Sequence, residues 1–301
     1  MIDSISPLIS VVIPTYNRAE LIGKAIQSIL DQSYKDWELI IVDNYSDDNT
    51  KEIIRAFNDD RIILLSTPRT GSVAVSRNLG VSHSSGEWIA FLDSDDWWFP
   101  RKLEFVSEII QQGPDLIYHD LQIVSLDGLP IKRRRTKSRR LKSPIYFDLL
   151  LEGNDIPLSS VVLRKSVFTF VNGMNESPNF LAIEDYDAWL RIAQVTEKFI
   201  HVPKILGAYR LHEGNIGHLN NFQYLSSALS AHLNKLDSSQ LRRYQSLYTY
   251  QIARDLYKKK FFRESTVPLI FSLKYARISL SFKALIMLIM NFFFRGIVPK
   301  N

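Results

Sequence analysis

Phe91-Leu92-Asp93-Ser94-Asp95-Asp96 ends an apolar run that begins at Trp88 and delivers three acids within four residues. A short apolar run closed by polar residues reads as a strand, here Trp88 to Leu92. Side chains alternate along an extended segment, so Asp93 and Asp95 point the same way. Two carboxylates side by side repel unless a cation lies between them. A hard divalent ion such as Mn²⁺ or Mg²⁺ takes oxygen ligands and bridges phosphates. The competing reading of the same acids is a turn followed by a helix N-cap at Asp96.

Upstream, strand and helix alternate. Ile9 to Ile13 is an apolar run stopped by Pro14 and the polar turn Thr15 to Arg18. Over residues 19–31, Leu21, Ile22, Ala25, Ile26, Ile29 and Leu30 fall on one helical face. A buried strand over 38–42 ends at Asp43 and a loop rich in Asn, Ser and Asp, and a helix over 50–57 follows. A strand over 61–65 and a helix over 71–83 complete this part. The alternation predicts βαβ units and a mainly parallel, Rossmann-like α/β sheet, whose ligands bind at the carboxyl ends of the strands.

Downstream, the pattern predicts a helix over 100–111, strands over 115–118 and 121–125, and a turn at Asp127-Gly128. A helix over 144–152, a strand over 159–163, a helix over 184–194 and short strands over 199–202 and 207–210 follow. From about residue 220 strand signals vanish and helix follows helix, with a helical hairpin open over 245–275. The boundary near 218 divides a catalytic α/β domain, 1–218, from a helical extension, 219–301, that associates with membrane or with another copy.

Five further segments accompany the acids in order: Pro14-Thr15-Tyr16-Asn17-Arg18, Asp43, Arg77-Asn78-Leu79-Gly80, Glu184-Asp185-Tyr186-Asp187 and Tyr209-Arg210-Leu211-His212. Together they resemble the family 2 glycosyltransferases, inverting enzymes of the GT-A fold, over roughly residues 8–218. The resemblance implies that Pro14, Thr15, Tyr16, Arg18 and Asp43 hold a nucleotide base, Asp43 reading a uracil edge. It implies that Arg77 faces base and phosphate, that Asp93 contacts ribose or metal, and that Asp95 is the metal ligand. Asp185 becomes the general base, and Arg210 and His212 lie near the diphosphate and metal. Two segments depart from the family pattern: Asn172-Gly173-Met174 stands where the family often has Gly-Gly-Phe, and Asn215 and Gly217 replace a serine pair. The usual acid near the first helix is met by Glu20, although Asn17 occupies the adjacent turn.

The chemistry of the residues agrees with that reaction. Inverting transfer needs one base to take the acceptor proton and charge stabilisation on a departing diphosphate, from a metal and Arg. It needs no covalent nucleophile. The expected reaction moves a sugar from a nucleotide-diphospho-sugar, a UDP-sugar by the resemblance, to an acceptor hydroxyl on a glycan or lipid carrier. A sugar nucleotidyltransferase would show an early Gly-rich phosphate loop with a lysine, whereas the first turn reads PTYNR. A dinucleotide oxidoreductase would show G-x-G-x-x-G there. A non-catalytic relative that binds a membrane or partner is the remaining rival, and intact Asp93, Asp95 and Asp185 speak against it. Several residues keep two readings: Tyr16 as a packing aromatic or a base contact, Glu184 as a helix N-terminal acid or a site residue, Trp97 and Trp98 as core or sugar-stacking groups.

Composition bounds the setting. With no cysteine in 301 residues, disulfide scaffolds and thiolate metal sites are excluded, and a reducing cytoplasm is the expected compartment. No signal peptide is visible at the start. Eight of the eleven residues from Lys132 to Lys142 are basic, against a net charge of +5, so the sequence reading assigns the charge to this one loop. Nucleic-acid binding is not expected, because no zinc finger, RNP signature or helix-turn-helix accompanies it. The stretch reads as a solvated loop or as one that attracts an anionic membrane surface or a lipid-diphosphate acceptor. The apolar stretch Ala284 to Phe294 is about half the ~20 residues of a spanning helix. It reads as a core helix, an oligomer contact or an interfacial anchor at the inner face of the membrane.

Overall fold

The computed structural model describes residues 9–69, 71–136, 138–211 and 229–294. These residues divide into two compact units, one of 9–146 with 154–211, the other of 147–153 with 229–294. The boundary expected near 218 lies outside the described residues.

The first unit begins with β1 (Ile9–Thr15), α1 (Ala19–Leu30), β2 (Trp37–Asp43), α2 (Thr50–Ala56), β3 (Ile62–Ser66), α3 (Val73–Ser82) and β4 (Trp88–Phe91). Every residue of β1, β2 and β4 is buried, as continuous apolar runs require when helices cover both sheet faces. Ile22, Ala25, Ile26 and Ile29 of α1 pack as the expected stripe. The four strands pair in parallel in the order β3-β2-β1-β4. Thr15 lies opposite Asp43, and Asp43 opposite Ser66, so their polar carboxyl ends line up. Gly80 lets α3 lie against β1, since a Cβ there would stand 2.5 Å from Val12 Cγ1.

The chain continues through β5 (Trp97–Trp98), α4 (Lys102–Ile110), β6 (Leu116–Val124), β7 (Pro130–Arg135), α5 (Ile145–Glu152), β8 (Val162–Arg164), α6 (Lys165–Phe170), α7 (Glu184–Ala193) and β9 (Phe199–Arg210). The full sheet order is β3-β2-β1-β4-β8-β6-β9-β5, with β7 beside β6. Strands β1–β4, β6 and β9 share one direction, and β5, β7 and β8 oppose it. The fold is therefore a mainly parallel α/β sheet with reversed strands in its second half.

Three local readings change. The basic stretch is not wholly a loop: Pro130–Arg135 forms β7, antiparallel to the far half of β6, and Arg135 pairs with buried Asp120 at 3.2 Å. The two strands expected on either side of residue 120 are one strand, β6, and those over 199–210 are also one, β9. The apparent breaks are register irregularities near Asp120, opposite Pro203, a residue that strands tolerate at bulges. The strand expected over 159–163 starts only at Val162, because Ser160 and Val161 donate backwards to Pro157 and Leu158 and form a 3₁₀ turn.

The second unit is helical: most of α5 with α8 (Ser230–Leu233), α9 (Ser238–Lys258), α10 (Thr266–Tyr275) and α11 (Ile278–Phe294). Asp237 and Gln240 form a reciprocal capping box at the start of α9. Ala253, Leu269 and Ala284, one from each long helix, are fully buried at its centre. The hairpin expected over 245–275 is the α9–α10 pair. No helix among the described residues is long and apolar enough to cross a membrane.

Candidate active site

A cavity of about 770 Å³ opens at the carboxyl ends of the parallel strands, lined from β1 and its turn, the starts of α3 and α7, the acidic segment after β4, and the 154–159 loop. One wall is made by stitching two loops. Asn17 donates its N–H to Ser46 Oγ, Arg18 to Thr50 Oγ1 and Ala19 to Asp48 Oδ2, while Asp47 N–H returns to Asn17 Oδ1. Pro14, Thr15, Tyr16 and Arg18 line the cavity. The guanidinium of Arg69 lies over the Tyr16 ring at 4.5 Å, giving the wall a flat cationic surface.

Asp43, at the end of β2, is fully buried. Its Oδ2 accepts the Ser46 N–H at 3.0 Å and lies 3.3 Å from Lys51 Nζ. Among the described residues its Oδ1 has no hydrogen bond, and neither do the buried Thr15 Oγ1 and Asn44 Oδ1. Buried polar atoms are nearly always satisfied, so three such atoms at neighbouring strand ends suit the polar edge of a ligand.

The acids after β4 are fixed from behind. Asp93 donates its N–H to Ser159 Oγ at 3.1 Å, and Ser159 O accepts from Trp98 Nε1 at 2.7 Å. Asp96 is buried, and its Oδ1 accepts the Arg210 N–H at 3.0 Å, so it ties the acidic segment to β9 rather than capping a helix. Asp93, Asp95 and Asp96 each offer a carboxylate oxygen within 4.8 Å of the others. Burial pushes Asp93 and Asp96 above the usual carboxylate range, and the neighbouring acids push further, while Arg77 opposes this at Asp93. Three hard oxygen donors this close together form a set suited to Mn²⁺ or Mg²⁺.

Arg77 projects from α3 into the floor. Its Nη2 donates to Asp93 Oδ1 at 2.8 Å and its Nη1 to Glu184 Oε1 at 2.7 Å, and both Arg77 and Glu184 are buried. Next to Glu184, at the first turn of α7, the half-buried Asp185 lines the cavity. Burial and the Glu184 charge raise its carboxyl to about 7, against the opposing pull of Arg77. Tyr209 lines the same cavity, and burial together with the facing acids holds its hydroxyl above the usual range. Beside this floor Asn78 exchanges two hydrogen bonds with the Met174 backbone, at 2.8 and 2.9 Å. Gly173 precedes it at φ 65°, where a Cβ would stand 2.6 Å from Asn78 Oδ1, so the glycine kept in the Asn172-Gly173-Met174 segment is required by geometry.

Pro14, Thr15, Tyr16, Arg18, Arg77, Asp93, Asp95 and Asp185 therefore share one cavity. Asp43 lies behind its wall. Arg210 sits on the far side of Asp96, where its Nη1 donates to Leu126 O and its guanidinium lies 5.2 Å from the Trp97 ring. His212 lies outside the described residues. Trp98 is core, while Trp97 carries Lys24 Nζ 3.3 Å above its ring. Arg69, Ser159 and Tyr209 escaped the sequence reading. Only Tyr209, inside the Tyr-Arg-x-His segment, carried a signal; Ser159 and Arg69 reach the site through tertiary contacts alone.

The Glycosyl transferase family 2 profile matches residues 10–170, more than half the chain, including the β1–β4 part of the sheet and the acidic segment. The chain belongs to this family. The glycosyltransferase is 33% identical over 220 residues to the Escherichia coli UDP-Glc:alpha-D-GlcNAc-diphosphoundecaprenol beta-1,3-glucosyltransferase WfgD, covering 72% of this chain and 82% of that one. It is 29% identical over 213 residues to the putative teichuronic acid biosynthesis glycosyltransferase TuaG of Bacillus subtilis, covering 70% and 81%. Among solved structures, S. aureus TarS 1-349 in complex with UDP-GlcNAc superposes with a TM-score of 0.61 at 17% identity, covering 78% of this chain and 71% of that one. The glycosyltransferase thus has the GT-A type of fold.

Proposed function

We propose that this glycosyltransferase moves a sugar, with inversion, from a UDP-sugar to a hydroxyl of a lipid-linked glycan during synthesis of a surface polysaccharide. The observation that carries the reading is Asp185: a single half-buried carboxyl, held near neutrality, facing the same cavity as the Asp93–Asp95–Asp96 cluster. Asp185 takes the proton of the acceptor hydroxyl as its oxygen bonds to the anomeric carbon, and the bond from that carbon to the diphosphate breaks with its electron pair leaving on the diphosphate. The donor set fits a divalent cation held by Asp95 with Asp93, which when bound supplies charge neutralisation for the diphosphate. Asp96 keeps the acidic segment in place through the Arg210 N–H.

The unpartnered Asp43 Oδ1, Thr15 Oγ1 and Asn44 Oδ1 support recognition of a uracil edge, with Pro14, Tyr16 and Arg18 along the base and ribose. Arg77 serves the donor by holding Asp93, and Arg210 and His212 are assigned to the diphosphate and metal by motif. The named substrates of the Escherichia coli relative, a UDP-sugar and a diphosphoundecaprenol-linked sugar, support both substrate classes. A lipid-linked acceptor places the enzyme peripherally at the cytoplasmic face of a membrane.

Isothermal titration with UDP, GDP and dTDP, with and without Mn²⁺, tests the donor reading. Metal-dependent binding selective for UDP, lost in Asp95→Ala, is expected; absence of binding by all three nucleotides under both conditions overturns it.

A further inference from the structure

The helical unit has two apolar sides, and its own core uses only one. On α11, Leu280, Ala284 and Asn291 are buried, and Met287 and Leu288 pack against the core. The opposite arc carries Ile278, Phe282, Leu285, Ile286, Ile289 and Phe292, which, apart from the adjacent Leu285 and Ile286, follow one another at intervals of three or four residues and are 40–90% exposed. That spacing is one continuous stripe on a 3.6-residue helix. Val267 and Ile270 on α10, at 75% and 53% exposure, add to the apolar surface of the unit. A soluble helix in a monomer normally turns charged groups to that side.

Charge identifies the occupant. Residues 229–294 hold eleven Lys and Arg against three Asp and Glu, so the positive charge is not confined to the Lys132–Lys142 stretch. Lys258, Lys259, Lys260, Arg263, Lys274 and Lys283 are all exposed, and none pairs with a carboxylate among the described residues. Asn291 donates to Phe262 O at 2.9 Å and Ser265 Oγ at 2.8 Å, which brings the Lys258–Arg263 cluster to the Phe292 end of the stripe. Lys274 stands near the turn at the other end, and Lys283 stands beside the middle. An apolar stripe bordered by basic groups is complementary to a leaflet with anionic headgroups: hydrocarbon takes the stripe and the lysines reach the phosphates. A second copy is the poorer match, because two such faces bring their lysine borders together.

We propose that α11, with α10 beside it, is a monotopic docking face that lies in the surface of an anionic membrane. The proposal deepens the peripheral reading above, but it rests on this unit's own exposure and charge, and its test uses no nucleotide, so it stands or falls apart from the sugar transfer.

Full-length protein is sedimented with vesicles of equimolar phosphatidylglycerol and phosphatidylcholine and with vesicles of phosphatidylcholine alone, at moderate salt. Preferential binding to the anionic vesicles is expected. Phe282→Glu with Ile286→Glu should lower partitioning at least about tenfold, and glutamine at Lys258, Lys259, Lys260 and Arg263 should erase the anionic preference. Circular dichroism and sedimentation velocity check that the variants stay folded. The proposal is overturned by failure of the parent to bind the anionic vesicles, by equal binding of parent and Phe282→Glu/Ile286→Glu protein, or by a parent dimer that ignores vesicles and becomes monomeric in that variant.

Discussion

Arg77 Nη1 lies 2.7 Å from Glu184 Oε1 across 107 residues of sequence, and the same guanidinium holds Asp93. One buried cation thus fixes both the strand end that presents the acids and the first turn of the helix that presents Asp185. Removing it strands two carboxylates at the floor. Arg77→Met is expected to destabilise the fold by about 3–5 kcal/mol, the usual cost of leaving a buried charge uncompensated. Glu184→Gln keeps an oxygen acceptor and should cost less, about 1–3 kcal/mol. Urea unfolding of the three proteins checks the order; equal stabilities would show that the bridge is not formed in solution.

The raised carboxyl of Asp185 gives a pH signature. A base must be ionised to accept a proton, and burial and Glu184 hold this one to about 7. kcat/KM for sugar transfer should therefore fall as pH drops through about 7, with one proton taken up per active site on that limb. Asp185→Asn should reduce transfer by roughly 10²–10⁴-fold with UDP affinity unchanged. A variant that transfers normally, or a rate flat from pH 8 to pH 5, removes Asp185 from the base role.

The parts of this site that sequence reveals are those written locally. The β1 turn and the Phe91–Asp96 segment each sit directly after an apolar run, so residue order alone puts them at strand ends. Asp185 is legible because it lies in a short acidic segment at a helix start. What sequence could not supply is partnership. Arg77 looked like a residue facing phosphate, and its pairing with Glu184 depends on α3 and α7 meeting. Asp96 looked like a cap, and its acceptor role depends on Arg210, 114 residues away. The basic stretch hid β7 because its Lys and Arg residues mask an edge strand, where charged residues are common.

Asp95 and Asp96 should respond differently to substitution. Asp95→Ala removes a donor from the cavity wall and is expected to abolish the Mn²⁺ enhancement of UDP binding while leaving the fold intact. Asp96→Ala leaves the Arg210 N–H without its acceptor and should cost about 1–3 kcal/mol of stability, which Asp96→Asn should largely restore because its amide oxygen can take the same bond. Calorimetric titration with and without EDTA, paired with thermal unfolding, separates the two effects. Undiminished metal enhancement in Asp95→Ala would move the cation elsewhere.

Lys102 presents the opposite problem, a buried amine with no counter-charge among the described residues. It is fully buried at the start of α4, its Nζ stands 3.3 Å over the Trp98 ring, and that nitrogen has no hydrogen bond to any described residue. Burial lowers its pKa well below the ordinary 10.5. In the unfolded chain the amine is charged up to about pH 10.5, so folding at neutral pH expels a proton or buries a charge. The cost is absent above the unfolded pKa and grows as pH falls from there toward the folded pKa. Methionine has similar length and needs neither partner nor proton. Lys102→Met is therefore expected to stabilise the protein by about 1–3 kcal/mol at pH 7, a gain that shrinks as pH is raised toward 10.5. Urea midpoints of both proteins at pH 7 and pH 10 measure it. A loss of stability at pH 7 would mean that the ammonium over Trp98 is worth more than its desolvation, and that the lysine is held charged by the indole face.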